Sequence, residues 1–215
     1  MLKRIVALTA VLVTVGAGLV SVVPAAQAAV DPIPARWAQI DSPGGGVTCA
    51  VSKTGQLWCW GKAEGPRGVV WNPATDPAAG TSIDPVRVGS ASNWVKVQIS
   101  AHHACAINTA TEIWCWGDNS LGQLGQGDTV NQQTPVKVYL PPSGWTDVAV
   151  GTDMTCGLRA KTLYCWGDNR ESELFISGQQ PAGVITLPKP DTVNLAGAIA
   201  SISLGAHLCL LSDAG

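Results

Sequence analysis

The chain has 215 residues, 46% of them hydrophobic, with 24 Gly, 14 Pro and a formal net charge of -2. It is long enough to bury a core and too heavily punctuated by turn formers for long helices. With 13 Lys and Arg against 15 Asp and Glu, and no basic run, it offers none of the sequence-clustered cations on which nucleic-acid affinity rests.

In chain order, Lys3 and Arg4 precede an uncharged run over 5–23, Pro24 breaks it, and Ala26-Gln27-Ala28 supplies a small-residue cleavage site. This predicts a signal peptide over 1–28, a mature chain from Ala29 and a secreted, extracellular product. The run could just span a bilayer, but its Gly content, Pro24 and the A-x-A site favour cleavage, leaving no stable membrane insertion afterwards. The cleavage point carries no cysteine, which disfavours a lipid anchor. Export also places the chain's 7 cysteines where disulfides persist.

The remaining chain repeats. Cys49, Cys105, Cys156 and Cys209 are spaced 56, 51 and 53 residues apart. Upstream of each lies an apolar pattern: Trp37 with Ile40, Trp94 with Val97 and Ile99, Trp145 with Val148 and Val150, and Ile199 with Ile202 and Leu204. Downstream come Leu57-Trp58-Cys59-Trp60-Gly61, Ile113-Trp114-Cys115-Trp116-Gly117 and Leu163-Tyr164-Cys165-Trp166-Gly167. A Pro-Val-x-Val arm closes the first two units at Pro85 and Pro135, and the third has a loose counterpart near 184–187.

Each unit therefore offers about four short strands, with period-two alternation clearest at Val95, Val97 and Ile99. Four strands per repeat of this length read as a propeller blade. The expected fold is an all-β propeller of four-stranded blades, with repeats over about 37–88, 94–140, 145–190 and 199–215. One blade has too little apolar area to stand alone, so most of the Trp residues are expected between blades; Trp71 alone falls outside the repeat pattern. The segment from Cys209 to Gly215 lies in register with Cys49 to Gly55. The fourth unit is thus expected to be truncated, giving about three and a half blades of a longer propeller, with assembly from two half-propellers as the competing reading.

The units resemble the regulator of chromosome condensation repeat, W-x-x-V-x-x-G-x-x-H-x-C-A-L followed by W-x-W-G-D-N-x-x-G-Q-L-G-x-G-D. The second unit carries the likeness through Trp94, His103, Cys105, Ala106, Trp116, Gly117, Asp118, Asn119, the Gly122-Gln123-Leu124-Gly125 run, Gly127 and Asp128. The first unit has a Pro/Gly-rich loop over 65–80 instead, and the third keeps Asp168-Asn169 before diverging. The resemblance implies a seven-bladed propeller for a complete protein.

Cys49 and Cys59, like Cys105 and Cys115, are ten residues apart, and Cys156 and Cys165 are nine apart. With a turn midway, each pair lies directly opposite across a hairpin, at a Cα separation a disulfide accepts. Closing such a loop stabilises by roughly 2–3 kcal/mol in the chain-entropy model. Cys209 is left unpaired. The rival reading is a metal cluster of His102, His103 and Cys105, but zinc gathers four ligands and neither other complete unit supplies a histidine, so no metal is expected.

No residue stands out as catalytic. His103 and His207 share a repeat position that is Val47 in the first unit and Met154 in the third, which suits a structural role better than a general base. The acidic residues Asp118, Asp128, Asp153, Asp168, Glu171 and Glu173 sit in loops without the spacing of an acid–base pair. The 122–127 run follows a hairpin and has the wrong glycine order for a dinucleotide fingerprint, so it reads as a turn.

The leading functional expectation is a secreted, non-catalytic recognition module with no cofactor. Loops over 61–84, 118–134 and 168–180 would bind an extracellular protein or glycan, with Asp118, Asn119, Gln123, Asp128, Asp168 and Asn169 as candidate contacts. Alternatives are an enzyme whose site at the propeller centre is completed by further blades, and an inhibitor similar to exported β-lactamase-inhibiting propellers, which lack the paired cysteines. Guanine-nucleotide exchange, the activity of the family's namesake, would need a cytosolic partner and is disfavoured by export.

Overall fold

Short apolar stretches separated by Gly, Pro, Asn and Asp cannot sustain helices, and they pair instead as antiparallel strands. The computed structural model describes residues 32–42, 46–62, 81–139, 141–168, 186–192, 198–204 and 208–212. Among these, three four-stranded sheets and one two-stranded sheet follow in chain order.

The first sheet holds β1 (Trp37–Asp41), β2 (Val47–Ser52), β3 (Leu57–Lys62) and β4 (Thr81–Arg87). The second holds β5 (Trp94–Ile99), β6 (His103–Asn108), β7 (Ile113–Gly117) and β8 (Gln132–Lys137). The third holds β9 (Trp145–Val150), β10 (Met154–Arg159), β11 (Thr162–Asp168) and β12 (Thr186–Thr192), and the last pairs β13 (Ile199–Leu204) with β14 (Leu208–Ser212). Each four-stranded sheet is an up-and-down meander, with every strand bonded to its sequence neighbour. This is a partial β-propeller, and each sheet is one blade.

The third closing arm departs from expectation. It lies at β12, after 184–185, and Cys165 faces Asp191 in the register where Cys59 faces Val86 and Cys115 faces Val136. Pro190-Asp191-Thr192 therefore stands where Pro85-Val86-Arg87 and Pro135-Val136-Lys137 stand. Proline position fixes the arm and the missing valine hid it. Pro85 and Pro135 occupy outermost strands beside a register shift, where a residue lacking N–H is tolerated and discourages further strand pairing.

One backbone bond locks each blade to the next. The N–H of Trp94 donates to the Gly55 carbonyl (3.0 Å), that of Trp145 to Thr111 (3.0 Å), and that of Ile199 to Lys161 (3.5 Å). The turn between the second and third strands of one blade thus sets the start of the next blade's innermost strand. In the second blade that turn is shaped by Asn108, whose Oδ1 accepts the N–H groups of Ala110 and Glu112, both at 3.0 Å.

The core lies between blades. Val47, Val51 and Leu57 of the first pack against Trp94, Val97 and Ile99 of the second. Ile107, Ile113 and Leu124 of the second pack against Trp145, Val148 and Trp166 of the third. Leu158 and Leu163 of the third meet Ile199 and Ile202. Trp58, Trp94, Trp116, Trp145 and Trp166 are buried, Trp37, Trp60 and Trp114 are half-buried, and Trp71 lies outside the described residues. Ile40 is 53% exposed although its repeat equivalents Val97 and Val148 are at 0%. The preceding blade covers those two, and no described sheet precedes β1.

Cys49–Cys59, Cys105–Cys115 and Cys156–Cys165 are disulfides with Cα atoms 4.1 Å apart. The Asn108 N–H bonds the Glu112 carbonyl, and alternation along the ladder then places Cys105 and Cys115 at a non-hydrogen-bonded rung, where strands come closest. All three bridges are buried in the inter-blade core. Cys209 is a free, exposed thiol.

Candidate functional site: the rim between the second and third blades

β6 begins and β7 ends where Asp118 N–H donates to the His102 carbonyl at 2.9 Å. Gly117 makes this closure possible. Its φ is 109°, and a Cβ there would sit 2.5 Å from the His102 carbonyl oxygen and 2.7 Å from His103 Cα. No L side chain fits such a position.

The chain over 118–131 then leaves the blade and folds back on itself. Asn119 holds both ends of that excursion. Its Nδ2 donates to the Asp128 carbonyl (3.1 Å), Asp128 Oδ1 (3.0 Å) and the Val130 carbonyl (3.1 Å), and its Oδ1 accepts from Leu124 N–H (2.9 Å). Farther along, the Gly125 carbonyl accepts the Tyr139 N–H at 3.0 Å, and Gln126 Nε2 donates to the Lys137 carbonyl. Gln123 turns inward: its side-chain Oε1 accepts the Leu121 N–H, and its backbone carbonyl accepts from Thr155 Oγ1 and Trp166 Nε1 of the third blade, all at 2.9 Å.

Those bonds extend into a buried chain across the two blades. Thr155 commits its only hydroxyl proton to the Gln123 carbonyl, so at 2.7 Å His103 Nε2 must be the donor to Thr155 Oγ1. His103 Nδ1 is then an acceptor facing Ser100 Oγ at 3.2 Å, whose one proton also has the His103 carbonyl within 3.2 Å. Ser100 Oγ in turn accepts the N–H groups of His102 and His103. The donor sequence runs His103, Thr155, Gln123 carbonyl, with His103 a neutral Nε2–H tautomer. Burial, assisted by neighbouring His102, pushes the His103 pKa down from 6.5 to about 3. Such an imidazole has no role as a proton shuttle near neutral pH. It is a bolt between blades.

Above it, His102 Nδ1 meets Asp153 Oδ1 of the third blade at 3.1 Å. Closer to the axis, Lys96 pairs with Asp147 of the third blade. Gln39 of the first blade bonds both the N–H and the carbonyl of Val97, each at 2.9 Å. Asp41 accepts the Ile99 N–H at 2.7 Å, and burial raises its carboxyl pKa despite that bond.

The candidate contacts divide accordingly. Asn119 and Gln123 are both at 0% exposure, which corrects their reading as contact residues: they are spent on holding the loop and the blade interface. Asp128 is exposed, Asp118 and Asp168 are half-buried, and Asn169 and His207 lie outside the described residues. The sequence reading missed Ser100 and Thr155, and weighed Asp153 only as a loop acid without its partner His102. Thr155 occupies the repeat position of Thr48 and Ala104, so the repeat marks the column, but its partner His103 sits in the preceding unit and no spacing links the two.

Residues 112–158 match the family model described as Regulator of chromosome condensation (RCC1) repeat, and residues 94–123 match a second model of the same description. Residues 94–158 carry RCC1 repeats. The longer match straddles β7 to β10, so it contains Gln123 and Thr155, and the shorter contains His103. An RCC1 domain-containing protein from Arabidopsis thaliana, RUG3, is 29% identical over 189 residues, covering 80% of this chain and 39% of that protein. The solved structure of Prp20p from Saccharomyces cerevisiae has a TM-score of 0.64 at 21% identity, covering 79% of this chain and 40% of that one. Human WBSCR16 gives a TM-score of 0.66 at 17% identity, covering 81% and 44%. These structural likenesses concern the fold, and the RCC1-repeat chain spans about two fifths of the length of these relatives.

Proposed function

We propose that the chain is part of a secreted, non-catalytic RCC1-repeat module that binds a protein through the exposed return of its 118–131 loop. The observation that carries this reading is the division of labour within that loop. Asn119 and Gln123 are buried and fix it from beneath, while 127–130 is exposed, with Val130 at 60% and Asp128 open to solvent although its Oδ1 accepts from Asn119. A loop fixed in this way pays little ordering entropy when it binds. Prp20p, which binds Gsp1p and histones, shares the propeller fold and is the reason a protein is placed ahead of a glycan here. The leader sequence and the three disulfides support export. His103, locked neutral and buried, argues for a scaffold over a proton-transfer site.

The test is affinity capture from culture supernatant with wild-type protein, Asp128→Arg, Val130→Asp and, as control, Thr109→Asp on the opposite face. Capture of a protein by wild type and Thr109→Asp, with loss in both loop variants, is the expected result. Capture that is indifferent to the loop variants would overturn the assignment.

A further inference from the structure

Although the chain's net charge is small, the fold sorts its charges by face. Within each blade, the turn joining the second and third strands lies at one end of the strands, and the 118–131 type of loop leaves from the other. Arg36 lies on the turn side, its carbonyl accepting the Lys53 N–H at 3.3 Å. So do Arg87 and Lys137, which close β4 and β8 opposite Trp58 and Trp114. Arg159 closes β10 opposite Trp145, and Lys161 sits in the turn that follows. The described acids toward this end are Glu112, which is bonded to Lys137, and Asp191, one rung from the end of β12. On the other face are Asp118, Asp128, Asp153 and Asp168, with His102, and Lys62 ends β3 there opposite Thr81. Sequence order scattered the cations over three blades and concealed this.

Arg36, Lys53 and Lys161 are exposed, and Arg87, Lys137 and Arg159 are half-buried. Two residues beyond Lys137, Tyr139 stands 61% exposed at the same end. We infer that this turn-side face is a docking surface for a polyanionic polysaccharide. It lies at the other end of the strands from 127–130, and meets the same loop only through the bonds of Tyr139 to Gly125 and of Lys137 to Gln126. Cations set on successive blades suit an extended ligand that repeats its charge along its length, since charges separated by more than a Debye length of about 8–10 Å act nearly independently. A sugar ring can lie on the Tyr139 face while its carboxylate or sulfate reaches the neighbouring lysine. Single-stranded nucleic acid is the less suited polyanion, because its binding surfaces stack successive bases on several rings, and Tyr139 is the exposed aromatic ring of this face among the described residues.

The experiment measures binding of the full chain to dextran sulfate, polygalacturonate, neutral dextran and an oligothymidylate across a salt series. Wild type should bind both charged polysaccharides, ignore neutral dextran, and weaken log-linearly with salt as counterions are released. Lys53→Glu with Lys161→Glu should weaken polysaccharide binding roughly tenfold or more at low salt, whereas Lys53→Arg with Lys161→Arg should retain it. Intrinsic Trp fluorescence checks that both remain folded; should the Glu pair unfold, Tyr139→Ala provides the second variant, with weaker binding to polygalacturonate expected. Unchanged binding in the charge-reversed protein, or oligothymidylate binding tighter than either polysaccharide, would overturn the inference.

Discussion

The buried imidazole of His103 makes a prediction about pH that a merely space-filling residue would not. In the folded chain it stays neutral down to a pKa of about 3, against 6.5 for an unperturbed histidine. Between those values the unfolded chain binds a proton that the folded chain refuses, so stability rises with pH through that window and falls as the solution is acidified. Each pH unit is worth about 1.4 kcal/mol, so lowering the pH from about 7 to about 5 costs roughly 2 kcal/mol from this residue alone. The third blade carries Met154 at the equivalent position, which makes His103→Met a volume-tolerant substitution. Near pH 7 the variant loses its bonds to Ser100 and Thr155 and should be about 1–3 kcal/mol less stable than wild type. Near pH 5 that gap should shrink by about 2 kcal/mol, because the variant no longer carries the proton penalty. Urea unfolding of both proteins at the two pH values, with disulfides intact, measures the gap. Carboxylates such as Asp41 and Glu112 titrate in both proteins and cancel. A gap that does not change with pH would refute the neutral, buried tautomer and the donor sequence built on it.

Other consequences are local. Gly117→Ala sets a Cβ against the His102 carbonyl at a positive φ, and should cost about 3 kcal/mol or more, read as a lowered thermal midpoint. Asn119→Ala removes the bonds to Asp128, Val130 and Leu124; it should destabilise by about 2–3 kcal/mol and expose 127–130 to limited proteolysis, which wild type resists. Asp147 accepts the N–H groups of Val148 and Ile202 as well as pairing with Lys96. In a double-mutant cycle Asp147→Ala should therefore cost more than Lys96→Ala, with a coupling of about 1 kcal/mol or less; equal single-site costs would mean that only the ion pair counts.

Much of the blade was legible beforehand because its signals are local. The Trp-to-Cys column, the hairpin spacing of the cysteines and the closing Pro arm each describe residues within one repeat, and hydrogen-bonded neighbours in an antiparallel meander are also sequence neighbours. Where one local signal was degraded, the reading slipped: Asp191 in place of valine moved the third arm upstream of where it lies. Asn119 and Gln123 were misread for a different reason. A loop sequence rich in Gly and polar residues reads as exposed, and nothing in it says that two of those polar side chains turn inward.

The sequence by itself determined the repeat, the all-β blade and the pairing register of its cysteines, since all of these follow from period-two patterning and turn length over a few tens of residues. Tertiary structure decided everything that joins one blade to another. His103 needs Thr155 from the next repeat, Trp166 needs the Gln123 carbonyl of the preceding one, and Val97 is covered where Ile40 is not. The gathering of Arg36, Lys53, Arg87, Lys137, Arg159 and Lys161 at one end of the strands belongs to the same class. It arises because every strand end is assigned to one side or the other by the meander, and only stacking the blades brings charges more than a hundred residues apart onto one surface.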